Sequence, residues 1–479
     1  MSSPASPFID DNFLLGNSTA RELYHDTAKD QPIIDFHNHL SPELIASNHR
    51  FRDLQELWLT GDHYKWRAMR ANGIPESEIT GNATPEQKFR AWARTLPYAL
   101  RNPLYHWAHL ELTRHFGIST RLNEESAGQI WSAANEKLEG VRVHDILSMH
   151  RVAALCTTDD PADTLDHHNS IKESGLTTRV YPTFRPDRAM AISDPASFRA
   201  WVEKLGDLVG NAIVNLEDLL AALKRRHNDF HELGCRLSDH GMKSAPPPPC
   251  PHSVASAVFD KALSLKPCSQ EEESLLASVV MHEVGRWNAS QGWTMQLHLG
   301  PMRNTNSRLM ATVGADAGCD SINDASQAES LASFLNALDS IGELPRTILY
   351  NLNPADNYVF GSMTGNFQDG MIPGKIQLGS GWWFLDQKEG IEGQLNTLSN
   401  LGLLRRFVGM VTDSRSFLSF SRHEYFRRVL CNLLGNDIEK GELPQDIELI
   451  GSMVREICFE NARNYFGFDL LADNSPDDK

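Results

Sequence analysis

Apolar positions along the chain fall into two alternating kinds of segment. Short runs rich in β-branched and aromatic residues end abruptly in polar ones, at 33–39 (IIDFHNH), 151–160 (RVAALCTTDD), 179–187 (RVYPTFRPD), 234–241 (GCRLSDHG), 293–300 (WTMQLHLG), 346–353 (RTILYNLN), 375–384 (KIQLGSGWWF) and 406–416 (RFVGMVTDSRS). Runs of this length and composition predict buried strands, the fourth being the weakest. Between most of them the apolar spacing changes to a helical period, at 161–175, 194–210, 215–231, 325–342 and 390–402. Strands alternating with helices predict right-handed βαβ units in a parallel sheet. Eight such strands predict an α/β fold of the (β/α)8 barrel type, with the active site at the C-terminal strand ends. An open doubly wound sheet is the alternative, but no GxGxxG follows any run.

A barrel needs ~250 residues, and this chain has 479. The pattern therefore divides into residues 1–50 with the first strand, a helical insertion at 51–147 over the barrel mouth, and the rest of the barrel at 148–470. A second insertion is expected at about 243–290, opening with the polyproline-like "KSAPPPPCP", and a disordered tail at 471–479. Helix punctuation in the first insertion is explicit. Asp62 precedes "HYKWRAMRANG", Thr84 and Gln87 form a capping box around Pro85, and Asn102 with Pro103 opens a helix that Gly117 should stop.

Charge narrows the partners. A net charge of −17 argues against nucleic acid and anionic membranes, which need a basic face, yet leaves room for a small anionic substrate. No stretch of about 18 apolar residues suggests a membrane span, and the N-terminus lacks a signal-peptide pattern. Seven cysteines without CxxC spacing read as reduced thiols, so the expected location is cytoplasmic. The long helical insertion makes a homo-oligomer compatible with the sequence.

The strand ends carry the chemistry. His37 and His39 sit two apart on the first run, so they share a face and can hold a divalent metal. The same pattern also suits two polar residues at a strand exit. Asp413 ends the eighth run, which barrel closure brings beside the first. Asp239 and His298 end the fourth and fifth. Arg185 and Arg415 can offer bidentate forks to a carboxylate, or brace loops as structural ion pairs. Trp382 and Trp383 suit the wall of a sugar site, one of them being expected in the core because adjacent strand residues face opposite sides.

Six stretches in order, "DFHNHLSPELIASNHRF", "GDHYKWRAMRANG", "GCRLSDHG", "MQLHLG", "GSGWWF" and "TDSRSFLSFSRHEYFRR", resemble the uronate isomerase family, a divergent branch of the amidohydrolase superfamily. The first motif departs from the family in having Asn38 where cysteine is common, and the proline spacer has no place in the family pattern. The resemblance implies aldose–ketose interconversion of hexuronates, such as glucuronate to fructuronate and galacturonate to tagaturonate. It implies catalytic roles for Asp413, Tyr64, His63, Arg415 and Asp239, and substrate contacts from Arg185, His298, Arg303, Trp382 and Trp383. It also implies one divalent metal on His37, His39 and Asp413. The sixth run offers "NLN" without histidine, so at most one metal is expected, best matched by zinc, with its necessity left open. A mononuclear metal-dependent hydrolase on the same barrel is the alternative, and a non-catalytic sugar-acid binder is a third reading.

Overall fold

The computed structural model describes residues 8–470, so the tail expected at 471–479 lies outside the described residues. Nine strands form among them: β1 Ile33–Asp35, β2 Val152–Cys156, β3 Arg179–Tyr181, β4 Leu237–Met242, β5 Thr294–Leu299, β6 Pro301–Met302, β7 Ser321–Ile322, β8 Arg346–Asn351 and β9 Ile376–Leu378. β6 and β7 make a small antiparallel ribbon that no periodic signal predicted. The other seven are parallel and fall on seven of the eight expected runs. They form two sheets, β1-β2-β3 and β4-β5-β8-β9. Phe184 joins these, bridging to Asp159 on one side and to Ser238 on the other. The fourth run, weakest in the sequence, forms a six-residue strand paired along its length with β5.

The eighth run is where the expectation and the structure part. Residues 407–414 form no strand. Gly409 and Asp413 have φ of +88° and +45°, and left-handed residues break a pleated strand. The segment still lies against β1, where the Asp413 amide donates to the His37 carbonyl at 3.1 Å and the His39 amide to the Ser414 carbonyl at 3.0 Å. β1 itself stops at Asp35, so His37 and His39 stand in the turn beyond it.

One apolar cluster draws Ile34 from β1 and Phe36 just beyond it, Ala154 and Cys156 from β2, Tyr181, Leu237, Ile348 and Tyr350 from β3, β4 and β8, and Val408 and Val411 from the eighth segment. Strands on both sides thus share one interior, as in a (β/α)8 barrel. Tyr465, Phe466 and Phe468 complete the cluster, with Phe466 packed 4.6 Å from Phe36 and Phe468 stacked 5.1 Å from Tyr181. A much larger cluster packs the helices onto the outside.

The helix punctuation appears as read. Asp62 accepts from the Lys65 amide at the start of His63–Ala71, Thr84 and Gln87 close a capping box on Pro85–Thr95, and Asn102 caps Pro103–Phe116. Residues 243–251 contain no helix beyond the proline run, but His252–Leu263 follows as an unpredicted helix before Gln270–Gln291. All seven cysteines are unpaired. Among the described residues, no helix is long and apolar enough to cross a membrane.

Candidate active site

Asn38 explains how two histidines come to face one way. Its amide nitrogen donates to Asp35 Oδ2 at 3.1 Å, and its oxygen accepts from the Leu40 amide at 3.1 Å. With Asn38 pinned backwards, both neighbouring imidazoles swing forwards, and each Nε2 lies 3.1 Å from Asp413 Oδ1. Asp35 also fixes the other partner. Its carboxylate accepts from the Thr412 amide at 2.8 Å and from the Thr412 hydroxyl at 2.6 Å, holding the residue before Asp413 against β1.

A second group adjoins the first. His298 Nδ1, from β5, meets Asp239 Oδ1, from β4, at 2.6 Å, and the His298 ring lies 4.4 Å from that of His37. Tyr350 stacks on His298 at 4.1 Å and Trp382 packs against it at 4.6 Å. Arg185 Nη1 lies 3.0 Å from Asp239 Oδ2, and its Nε donates to Asp187 Oδ2 at 2.8 Å. A Cβ at Gly241 would collide with the Arg185 guanidinium, so glycine makes that approach possible. Arg185 reaches the cavity with two carboxylates already on it, rather than as a free fork.

The helix His63–Ala71 brings in the opposing pair. His63 and Tyr64 stack at 4.8 Å, and His63 Nδ1 is 3.4 Å from Arg415 Nη1. Behind Tyr64 runs a buried cation that sequence reasoning missed. The Arg422 guanidinium lies over the rings of Trp107, at 4.2 Å, and Tyr64, at 5.5 Å, and donates to Asp386 at 3.1 Å. Only the spatial pairing reveals this group, since its members are far apart in sequence.

These residues surround a cavity of about 370 Å³. Every site residue singled out in the sequence lines it except Asp239, which stands behind His298. Both tryptophans face it, and both are also buried in the apolar cluster, where one was expected. β9 ends at Leu378, so strand alternation does not reach them, and a φ of +52° turns Trp383 inwards. Arg303 lies over the Trp383 ring at 5.0 Å. Asp316, also unpredicted, completes the rim.

Charge states follow from burial and neighbours. Burial alone would raise Asp413, but hydrogen bonds from His37 and His39 outweigh it and hold the carboxyl well below its ordinary range. Asp239 goes the same way, burial being overcome by Arg185, His37 and His298. Burial pushes His37 down, yet Asp239 and Asp413 bring it above the usual imidazole value. His39 falls to about 4 through burial. His63 falls too, through burial and the adjacent Arg415, so it is a neutral imidazole at neutral pH. Burial, with Asp386 and Asp413 nearby, keeps Tyr64 a phenol.

The donor set suits a divalent cation. Two triads place their ligand atoms within 4.8 Å of one another, His37–His39–Asp413 and His37–Asp239–His298. Buried His37 Nδ1 and His298 Nε2 have no hydrogen-bond partner. Two imidazole nitrogens and a carboxylate oxygen are a donor set for a borderline metal ion.

Comparison with known proteins gives one answer. A family model described as glucuronate isomerase matches residues 5–466. A uronate isomerase of Opitutus terrae is 59% identical over 464 residues, spanning 97% of this chain and 98% of its own. One from Solibacter usitatus is 52% identical, covering 97% of this chain and all of its own. The crystal structure of uronate isomerase from Thermotoga maritima superposes with a TM-score of 0.91 at 36% identity, over 96% of this chain and 99% of that one. Glucuronate isomerase from Caulobacter crescentus, at 24% identity, shares the fold with a TM-score of 0.89 over 97% and 98% of the two chains. With the match running from the histidine pair through the arginine-rich stretch after Asp413, the chain belongs to the uronate isomerase family.

Proposed function

We propose that this cavity isomerises hexuronates between aldose and ketose, with the C6 carboxylate on Arg303 and Arg415 and the sugar's apolar face on Trp382 and Trp383. The carrying observation is the convergence of Asp413, His63, Tyr64 and Arg415 on one cavity of sugar size. A divalent ion, for which zinc is the best match, would be held by His37, His39 and Asp413, and when bound would polarise a sugar oxygen. The Asp413 carboxylate, ionised by its two histidine bonds, accepts the proton from C2. Negative charge then develops on the C1 oxygen, where the Tyr64 hydroxyl can donate. Asp413 returns its proton to C1 as the C2 hydroxyl proton passes to the C1 oxygen, leaving a ketone at C2. Asp239 acts from behind, fixing His298, and Arg185 braces Asp239 from the cavity wall.

One observation favours a second assignment of the base. A carboxyl held far below neutrality is a weak proton acceptor. Neutral His63, beside Arg415, could take the C2 proton while Asp413 serves only as ligand and hydrogen-bond acceptor. In this reading the helices of 51–147 form an insertion over the mouth, which positions His63 and Tyr64, and 148–470 complete the barrel. Unpaired cysteines support a reducing, cytoplasmic location. The test is direct: purified protein is incubated with D-glucuronate and D-galacturonate in D2O, and ketose is followed by proton NMR. Absence of ketose with both sugars would sink the proposal.

A further inference from the structure

Arg422 does not line the cavity, yet it is a buried cation that hydrogen bonds alone do not account for. It stands at the start of the helix Ser421–Glu439 and is 3% exposed. Its Nη1 donates to Asp386 Oδ2 at 3.1 Å and to the Thr412 carbonyl at 3.5 Å, but its buried Nε has no hydrogen-bond partner among the described residues. Asp386 Oδ1 is likewise buried without one. An apolar side chain in this place would leave no such groups, and buried ion pairs can often be replaced by well-packed apolar residues without loss of stability. Stability is therefore a poor reason for this charge.

What the charge faces is aromatic. The guanidinium lies 4.2 Å from the centroid of Trp107 and 5.5 Å from that of Tyr64, both inside the ~6 Å reach of a cation–π contact. Trp107 also meets Tyr64 edge-on at 6.4 Å, and His63 stacks on it at 4.8 Å. Three neighbours thus confine the Tyr64 ring, while the residue lines the cavity. The same guanidinium gathers the segments that carry the site. Tyr64 belongs to the helix His63–Ala71, Asp386 follows the turn with Trp382 and Trp383, and Thr412 precedes Asp413.

Resting on the reading of Tyr64 as the donor to the developing oxyanion, we infer that Arg422 is a positioning residue for the isomerisation: from behind the ring it fixes the line of the Tyr64 hydroxyl, and its charge makes that hydroxyl a stronger donor. As the sugar oxygen gains negative charge, the phenol that donates to it takes on part of that charge. A desolvated cation behind the ring favours this redistribution. The gain arises only as the transition state forms, so it belongs to kcat rather than KM. Asp386 orients the guanidinium in turn, through a charge-assisted hydrogen bond.

A double-mutant cycle with Tyr64→Phe tests this, read as kcat and KM on D-glucuronate. Arg422→Met and Asp386→Asn are made together, so that no buried carboxylate is left unpaired. In the otherwise wild-type protein this neutral pair should lower kcat by about tenfold or more, the weight of a desolvated cation–π contact, and move KM by less than about twofold. In the Tyr64→Phe background it should cost less than about twofold in kcat, because the group it acts through is gone. Arg422→Lys keeps the charge and should retain more turnover than the neutral pair. Equal losses in the two backgrounds overturn the inference, as do an unchanged kcat, an effect confined to KM, or a lysine variant no better than the neutral pair. Should the pair fail to fold by circular dichroism, Asp386→Asn alone carries the same cycle with a smaller loss. A wild type that converts no hexuronate defeats the functional reading, and full turnover in Tyr64→Phe defeats the role of Tyr64 and this inference with it. Turnover that depends on Tyr64 but falls equally in both backgrounds defeats only the role of Arg422.

Discussion

Asp413→Asn is the most informative single change at this site. Asn is nearly isosteric and suits the +45° φ at this position, so the backbone has no reason to move. The amide oxygen can still accept from His37 or His39, which now stand 3.1 Å away, but the negative charge is gone. Hexuronate binding should survive, because Arg303 and Arg415 are untouched. If Asp413 moves the C2 proton, turnover falls by at least ~10²-fold, the lower range for a lost general base, equivalent to about 2.7 kcal/mol of barrier. The assay is turnover and C2 proton exchange by NMR, with metal content measured on the same samples. Turnover lost with metal retained assigns the base. Turnover lost together with metal assigns only the ligand. Near-normal turnover with intact exchange would refute the argument and pass the proton to His63, whose replacement by asparagine should then be the variant that abolishes exchange.

Three further outcomes are expected. His37→Ala combined with His39→Ala should remove the bound divalent ion, with the barrel intact; equal occupancy by elemental analysis would rule these residues out as its holders. Arg415→Met should raise KM by roughly tenfold or more, the loss of one charge-assisted bond, whereas Arg185→Ala should lower the melting temperature as well, because it strands buried Asp239; equal melting temperatures would place Arg185 among plain substrate contacts. Burial pushes Asp159 up to about 7, above its unfolded value, so the folded state keeps its proton longer and stability declines as pH rises from about 4 to 7. Between pH 5 and 8 this loss amounts to roughly 3 kcal/mol, and Asp159→Asn should abolish it; parallel melting-temperature profiles for variant and wild type would contradict the assignment.

Much of this architecture is written in local signals. The caps at Asp62, Thr84 and Asn102 are short-range hydrogen-bonding devices, so they could be read directly. The histidine pair was legible because spacing of two survives even where β1 has ended, Asn38 being pinned behind it. The eighth segment was misread as a strand because its apolar composition is that of one, while the left-handed angles at Gly409 and Asp413 leave no mark in composition. The same holds for Trp383, whose inward turn depends on one dihedral angle. Arg185 reads in the sequence as either a fork or a brace; Asp187 stands two residues on, but Asp239 reaches it only because Phe184 bridges to Ser238, which spacing does not reveal. Asp316 was invisible, since its link to Arg415 spans 99 residues and depends on how one loop is tied down. Long-range charge pairing decides what the anchors touch, and a sequence pattern does not encode it.

The aromatic seal of Tyr465, Phe466 and Phe468 has a consequence for biosynthesis. Ile34 and Phe36 leave the ribosome early, but the residues that cover them are made hundreds of positions later; His37 and Asp413 alone are 376 residues apart. At ordinary elongation rates that gap lasts on the order of half a minute. During it β1 has neither its eighth-segment neighbour nor its floor, and presents an open edge with an unsealed apolar face. The His37–His39–Asp413 cluster is assembled across this last seam, so the candidate site and escape from aggregation arrive in the same late step of folding. Nascent chains of this protein therefore depend on whatever shields that face until translation has passed Phe468.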